Sequence, residues 1–566
     1  MNGAEHVIRF LMDKGVDYAF GYPGGPVLVL YDAIYRLGFP HWRTRHEQGA
    51  VHAAEGYARV SGKPGVCIAT SGPGATNLVT GIANAYLDST PLLCITGAVN
   101  RRDIGRDAFQ EADITGITDP ITKYNYLVME PNQLVPILEE AWELTTSGRP
   151  GPVLVNIPKD ILALDIDKVT PTRPFIPHRP KPQLSADVMA DIIAALEASR
   201  KPLLLVGGGV IHSEGAPAEL ARFLDRTHMP VTTTLMGKGS LPTDHPDYLQ
   251  HVGMHGTVQS NQALGNCDLL LAVGTRFSDR VVANPVRYSH GRKVIHVDID
   301  SSEIGKNVPT DIEVEDDAGN FFRELNAALA TRPDFAPAWA EWRDHLAGLA
   351  ARYNELVIPL YEPSTPLKSQ YVVKHASRRV AGMNPICVTD VGQHQMFAAQ
   401  HFDVESPRSF ITSGGLGTMG FGLPAAIGAA KAAPDRPVIA FVGDGGIQMT
   451  IQELGTLAEF NLHVIVLILD NQTLGMVRQW QELFFNEHYA ASLMDQNPDF
   501  VKIAEAYGVR GSRVATPEEY DRAFDEALAE RRPYLMHIRV PKEDNVYPMI
   551  PAGRDPQDLI MPGMVE

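Results

Sequence analysis

The residues of this chain best placed to do chemistry lie between positions 438 and 471. An apolar, strand-like run from Val438 to Val442 ends in Gly443-Asp444-Gly445, and a second, from Val464 to Leu469, ends in Asp470-Asn471. Between them the pattern predicts a helical segment with Met449, Leu454, Leu457 and Phe460 as its apolar positions. Such a β–α–β unit brings the carboxyl ends of two parallel strands to one edge of a sheet. Open α/β sheets bind their ligands at that edge. Asp444 and Asn471, 27 positions apart, can then both offer oxygen to one hard cation. The flanking glycines let backbone amides approach an anion closely. A Mg²⁺ diphosphate fits this combination, because Mg²⁺ takes a few protein oxygens together with phosphate and water.

The elements that must position these groups read as α/β throughout. The N-terminal residues predict an amphipathic helix (Ala4, Val7, Ile8, Leu11) followed by a strand. Strands are expected at Val66–Thr70, Leu92–Thr96 and Gly151–Ile157, with helix over Thr76–Asp88. A second block opens with a helix, continues through Leu203–Val210 and Leu269–Val273, and reaches Val294–Asp300. Continuous apolar runs between helices mean parallel sheets covered on both faces. The reading is three doubly wound parallel-sheet domains: 1–165, 185–335 and 368–566, the last ending in a C-terminal tail. A proline-rich linker covers 166–184, and a helix with a second proline-rich segment covers 336–367. Proline at that density cannot continue helices or central strands. Glycines 207–209 after a strand, and Asp298 ending a later one, give the second block a nucleotide-binding look.

Bulk properties narrow the function class. A length of 566 residues is too great for one core. The formal net charge of −18 argues against nonspecific nucleic-acid binding, which needs a basic face. Cys67, Cys94, Cys267 and Cys387 are far apart and lack metal or redox spacing, as expected of reduced thiols in a cytoplasmic protein. No apolar run approaches the roughly 20 residues of a membrane helix, and the N-terminus has no secretory pattern.

The GDG…DN pattern resembles the thiamine diphosphate signature. Enzymes of that kind also need a glutamate that reaches the aminopyrimidine ring, and Glu47 in Arg45-His-Glu-Gln-Gly-Ala50 matches it. Further matches are Asp107-Ala-Phe-Gln-Glu-Ala-Asp113, Asn156-Ile-Pro-Lys-Asp160, Glu303-Ile-Gly-Lys-Asn307 and Val391-Gly-Gln-His-Gln-Met396. Ser413-Gly-Gly-Leu-Gly-Thr-Met-Gly-Phe-Gly422, Leu474-Gly-Met-Val-Arg-Gln-Trp-Gln481 and Asn545-Val-Tyr-Pro-Met549 complete them. Over essentially its whole length the chain resembles the catalytic large subunit of acetohydroxyacid synthase, also called acetolactate synthase, within the thiamine diphosphate superfamily.

The resemblance implies three cofactors: thiamine diphosphate, Mg²⁺ and FAD. Glu47 would hydrogen-bond the pyrimidine ring, with Gln110 and Lys159 as further catalytic residues. Gly417 would accept from the amino group of that ring, Met419 would touch it by its backbone, and Met449 would wedge beneath the cofactor. Gln393, His394, Gly443, Gly445 and Gly446 would line the diphosphate. Asp444, the Asn471 side chain and the Thr473 carbonyl would ligate Mg²⁺. Phe109, Gln110, Lys159, Arg280 and Trp480 would handle substrate. The flavin would lie against Arg149, Gly207, Gly208, Gly209, Leu235, Met254, Gly274, Arg276, Arg280, Asp298 and Ile299, and would do no net redox work. The implied reaction is decarboxylation of pyruvate and carboligation to a second 2-ketoacid, pyruvate or 2-ketobutyrate. The products would be 2-acetolactate or 2-aceto-2-hydroxybutyrate, in branched-chain amino-acid biosynthesis. The implied assembly is a homodimer or homotetramer with active sites between subunits, with room for a small regulatory subunit. Asp470 departs from the usual asparagine pair, as do Ala98, Arg106 and Gly446-Ile447 from common residues of the family. An FAD-independent catabolic acetolactate synthase, or another thiamine-dependent 2-ketoacid carboligase or decarboxylase, is the alternative.

Overall fold

The computed structural model describes residues 1–167, 169–171, 184–282, 288–332, 334–335, 337–551 and 553–562. Most of the expected linker at 166–184 therefore lies outside the described residues. Three six-stranded parallel sheets organise the chain. The first contains β1 (Ala19–Gly21), β2 (His41–Arg43), β3 (Gly65–Ala69), β4 (Leu92–Ala98), β5 (Tyr124–Leu127) and β6 (Pro152–Pro158), in the order β2-β1-β3-β4-β6-β5. The second contains β7 (Pro202–Val206), β8 (Val231–Thr233), β9 (Tyr248–His251), β10 (Leu269–Val273), β11 (Lys293–Asp298) and β12 (Ile312–Glu315), ordered β12-β11-β10-β7-β8-β9. The third contains β13 (Ile386–Thr389), β14 (Phe410–Ile411), β15 (Val438–Gly443), β16 (Val464–Asp470), β17 (Arg510–Val514) and β18 (Tyr534–Arg539), and repeats the order of the first: β14-β13-β15-β16-β18-β17. The middle order is that of a dinucleotide-binding sheet, whose switch point lies between β7 and β10.

Central strands such as β15 and β16 are buried along their whole length, which is why they read as unbroken apolar runs. The N-terminal helix Gly3–Asp13 buries Ala4, Val7, Ile8 and Leu11 completely, and an Asn2–Glu5 capping box closes its start. All four cysteines are buried and free. Among the described residues no helix is long and apolar enough to cross a membrane.

The segment between β15 and β16 differs from expectation. In place of one helix there are three short pieces, Asp444–Ile447, Ile451–Glu453 and Leu454–Glu459. Two tertiary bonds break it. The Thr450 hydroxyl donates to the Gly420 carbonyl at 2.9 Å, and the Glu453 carboxylate accepts the Arg45 N–H at 3.0 Å. Met449, left outside the pieces, is half exposed.

The first and third sheets are joined through two helices, Glu47–Ser61 and Gly422–Ala432. Their backbones nearly touch. A Cβ on Gly56 would lie 2.0 Å from the Ala425 carbonyl oxygen, and one on Gly428 would lie 1.8 Å from that of Ala53. Glu47, the first residue of its helix, is thereby fixed against the third sheet of its own chain.

Candidate active site

The turn after β15 and the turn after β16 meet as the spacing requires. β15 and β16 are parallel neighbours in register from Val438 with Val464 to Gly443 with Leu469. Beyond them a small cavity of about 70 Å³ is lined by Gln393, His394, Gly443, Asp444, Gly445, Gly446, Asn471 and Thr473, together with Met419 and Met476. The Asn471 side-chain oxygen accepts from the Thr473 N–H at 3.1 Å and its hydroxyl at 3.0 Å, and the Asn471 amide donates to Gln393 at 3.0 Å. These bonds fix the amide with its oxygen toward Thr473. Burial pushes the His394 imidazole down to about 3, so it is neutral, and its Nε2 is buried without a partner. Among the described residues no group of three or more His, Cys, Asp or Glu could hold a metal. A cation here therefore needs oxygens from a ligand, as expected for Mg²⁺ on a diphosphate.

Asp470 and Asp444 share a neighbour and behave oppositely. The Asn497 amide donates to Asp444 at 2.6 Å and to Asp470 at 3.0 Å. Burial, reinforced by the Asp470 charge, raises Asp444 well above the usual carboxylate range. Burial also opposes ionisation of Asp470, but the His537 bond at 2.7 Å, the Gln472 N–H at 3.0 Å and the Arg539 guanidinium at 2.8 Å outweigh it and hold it low. The departure from the asparagine pair is thus absorbed on the β18 side. Asn497 was not foreseen; nothing in its local sequence marks it.

A second cavity, of about 890 Å³, adjoins the first, and Val391, Gly392, Met419, Met476 and Val477 line both. It gathers Arg149, Gly208, Gly209, Leu235, Met254, Gly274, Arg276, Arg280, Asp298 and Ile299 with Gly417 and Trp480. Gly207 does not line it. A Cβ there would sit 2.0 Å from the Gly274 carbonyl oxygen, so Gly207 serves the close approach of the turns after β7 and β10. Arg149 is held by Glu303 at 2.8 Å and by the Ser89 hydroxyl at 2.9 Å. Arg276 makes no hydrogen bond or ion pair among the described residues, and burial lowers its pKa. Burial raises Asp298 to about 6. Trp480, on the helix Gly475–Phe484, meets Phe484 edge-on with ring centroids 5.4 Å apart. Arg280 is exposed at the rim, its guanidinium 3.5 Å from the Met254 sulfur.

Glu47, Phe109, Gln110, Lys159 and Met449 line neither cavity. Glu47 is buried at its helix start, where its carboxylate accepts from the Asn77 amide at 2.9 Å. A Cβ on Gly74 would lie 3.2 Å from the Glu47 carboxylate, and one on Gly72 would lie 2.9 Å from the Gln110 Cα. The glycine turn after β3 thus brings Glu47 and Gln110 around one loop. Phe109 is 88% exposed, a large ring on open surface. Lys159 is exposed at the start of the helix that follows β6. The thiamine-type groups therefore form two separate half-sites within one chain.

Residues 1–117, 189–325 and 390–538 match the families described as thiamine pyrophosphate enzyme N-terminal TPP binding domain, central domain and C-terminal TPP binding domain. The chain is 45% identical to a probable acetolactate synthase large subunit of Methanocaldococcus jannaschii, over 100% of this chain and 96% of that one. It is 43% identical to the acetolactate synthase large subunit of Lactococcus lactis, covering 99% and 96%. It is also 43% identical to the acetolactate synthase isozyme 2 large subunit of Escherichia coli K12, covering 99% of each. With two facing half-sites, a cradle for a metal diphosphate and full-length likeness to these proteins, the chain belongs to the acetolactate synthase large-subunit family of thiamine pyrophosphate enzymes.

Proposed function

We propose that this protein decarboxylates pyruvate and joins the remaining two-carbon unit to a second 2-ketoacid, giving 2-acetolactate or 2-aceto-2-hydroxybutyrate. The observation that carries this reading is the cradle of Asp444, Asn471 and Thr473 beside a large cavity walled by Trp480, in a chain alike over its full length to acetolactate synthases. Purified protein given pyruvate, thiamine diphosphate, Mg²⁺ and FAD should form acetolactate. Acetaldehyde alone, or no product, would overturn the reading.

Asp444, the Asn471 oxygen and the Thr473 carbonyl would hold Mg²⁺, and the uncapped His394 Nε2 and Gln393 would meet the diphosphate. When bound, thiamine diphosphate supplies the electron sink for decarboxylation and for carbon–carbon bond formation. Glu47 would take and return the proton of the pyrimidine ring nitrogen, and the Gly417 carbonyl would fix the ring's amino group. The Arg280 fork suits a 2-ketoacid carboxylate. Apolar walls from Met476, Val477, Trp480 and Phe109 would keep water away from the reacting carbon. Because Glu47 and Gln110 lie apart from both cavities of their own chain, the complete site would form between two subunits, with the exposed Phe109 ring covered there. A homodimer or a pair of homodimers would satisfy this. The naming of relatives as large subunits supports a smaller regulatory partner. A cytoplasmic location suits the substrates and the free thiols.

The large cavity fits a dinucleotide in size, and the unpaired Arg276 beside the turn after β10 fits its pyrophosphate. FAD should copurify, or raise activity when added, yet stay oxidised through turnover by absorbance. A colourless, fully active protein indifferent to FAD would favour the catabolic, flavin-free alternative.

Trp480 would set the choice of second substrate. Trp480→Leu removes a wall of the larger cavity, and one methylene of fit is worth about 1–3 kcal/mol in an apolar pocket. In competition between pyruvate and 2-ketobutyrate, the product ratio should shift about tenfold or more with a smaller change in pyruvate decarboxylation. Coincident ratios with lower total activity would make Trp480 a packing residue.

A further inference from the structure

We propose that Asp88 is a positioning residue for the cofactor: from the first sheet's side it holds residues 413–418 so that the Gly417 carbonyl points at the pyrimidine ring. This rests on the role given to Gly417 above.

The loop is built almost wholly on groups from the first block of the same chain. One Asp88 carboxylate oxygen accepts the Gly415 N–H at 2.6 Å, and the other accepts the Gly414 N–H at 3.2 Å. Asp88 is itself buried and held by the Arg59 guanidinium at 2.6 Å. Arg59 also donates to the Thr412 carbonyl, one residue before the loop. Asn84, one helical turn before Asp88, accepts from the hydroxyls of Ser413 and, at 3.1 Å, Thr418. The Ser413 hydroxyl in turn accepts the Thr418 N–H at 2.8 Å. The N–H groups of residues 414, 415 and 418 are thus spoken for, while the Gly417 carbonyl accepts no hydrogen bond among the described residues. Gly417 is at φ +72°, a left-handed conformation that glycine adopts without strain. A loop whose donors are all pinned and whose one turned carbonyl is left open is preorganised to accept from a ligand.

Asp88 and Gly417 both line the larger cavity, but Asp88 acts through backbone N–H groups and touches no reacting atom of the proposed chemistry. It is close to the loop in a way that tolerates little change. A Cβ on Gly415 would stand 2.8 Å from the Asp88 carboxylate and 2.8 Å from the Leu87 Cβ.

Two variants test the proposal. Asp88→Asn presents an amide whose N–H₂ opposes one of the glycine N–H groups, and it also leaves the buried Arg59 without a charged partner. Gly415→Ala keeps the Arg59–Asp88 pair intact and pushes the loop off the carboxylate, so it decides the matter if Asp88→Asn does not fold. Each protein is loaded with Mg²⁺ and thiamine diphosphate. Cofactor affinity is read by calorimetry, and the deuterium exchange rate at the thiazolium C2 of bound cofactor by quenched-flow NMR. Both variants should bind at least about tenfold more weakly, and exchange at least about tenfold more slowly once saturated, a loss of the size seen when an orienting outer-shell partner is removed. Exchange within about twofold of the parent protein in the folded variants overturns the proposal, even where the melting temperature or affinity falls, because Asp88 is then only structural. If the unmodified protein neither exchanges the proton nor makes acetolactate, the functional reading fails and the positioning role falls with it.

Discussion

Glu47→Gln is expected to lower turnover by about 10²–10⁴-fold, the range over which acid–base residues contribute. An amide of the same shape still accepts from the Asn77 side chain, as Glu47 does at 2.9 Å, so the helix start and its burial should survive. What the amide cannot do is exchange a proton with the pyrimidine ring nitrogen. Thiamine diphosphate and Mg²⁺ should therefore bind nearly as before, because their cradle of Asp444, Asn471 and Thr473 lies elsewhere. The measurement is kcat with pyruvate beside the cofactor dissociation constant. Turnover within about twofold of the parent protein would remove Glu47 from the catalytic machinery, and equal losses in binding and turnover would make it a binding residue instead.

Asp444→Ala should have the opposite signature. It deletes an anionic oxygen from a site that has few, so the requirement for Mg²⁺ and thiamine diphosphate should rise by at least about 10–100-fold, the scale known for mere outer-shell losses. The cofactor-free protein should not suffer in step. Asp444 is buried and faces the Asp470 charge, so ionising it is unfavourable without a cation, and only the Asn497 bond at 2.6 Å is lost. Its melting temperature should stay within about 2 °C, as a change under 1 kcal/mol gives in a chain of this size. Unchanged affinity by calorimetry would mean that the turns after β15 and β16 are not the metal cradle.

Sequence alone determined the class of this protein. Parallel strands buried on both faces leave continuous apolar runs, so the strand that ends at Asp444 and its neighbour that ends at Asn471 are legible without coordinates. The turns that follow are marked by glycine and polar residues, so the side chains at the carboxyl edge could be named, and the large cavity gathers most of those assigned to a flavin. Tertiary structure decided everything that depends on residues distant in the chain. Asp470 faces away from the cradle because His537 and Arg539, 67 and 69 positions on, draw its carboxylate to β18. The crossover after Asp444 is broken because Thr450 and Glu453 bond to Gly420 and Arg45. Gly207 packs and does not line the cavity, because the backbone at Gly274 needs its space. Glu47 and Asp444, adjacent in any list of thiamine-site residues, stand in separate half-sites because close backbone packing of Gly56 and Gly428 locks the helix of Glu47 against its own third sheet. Local pattern records which side chains a strand or turn presents; which of them meet is set by long-range contacts that leave no local mark.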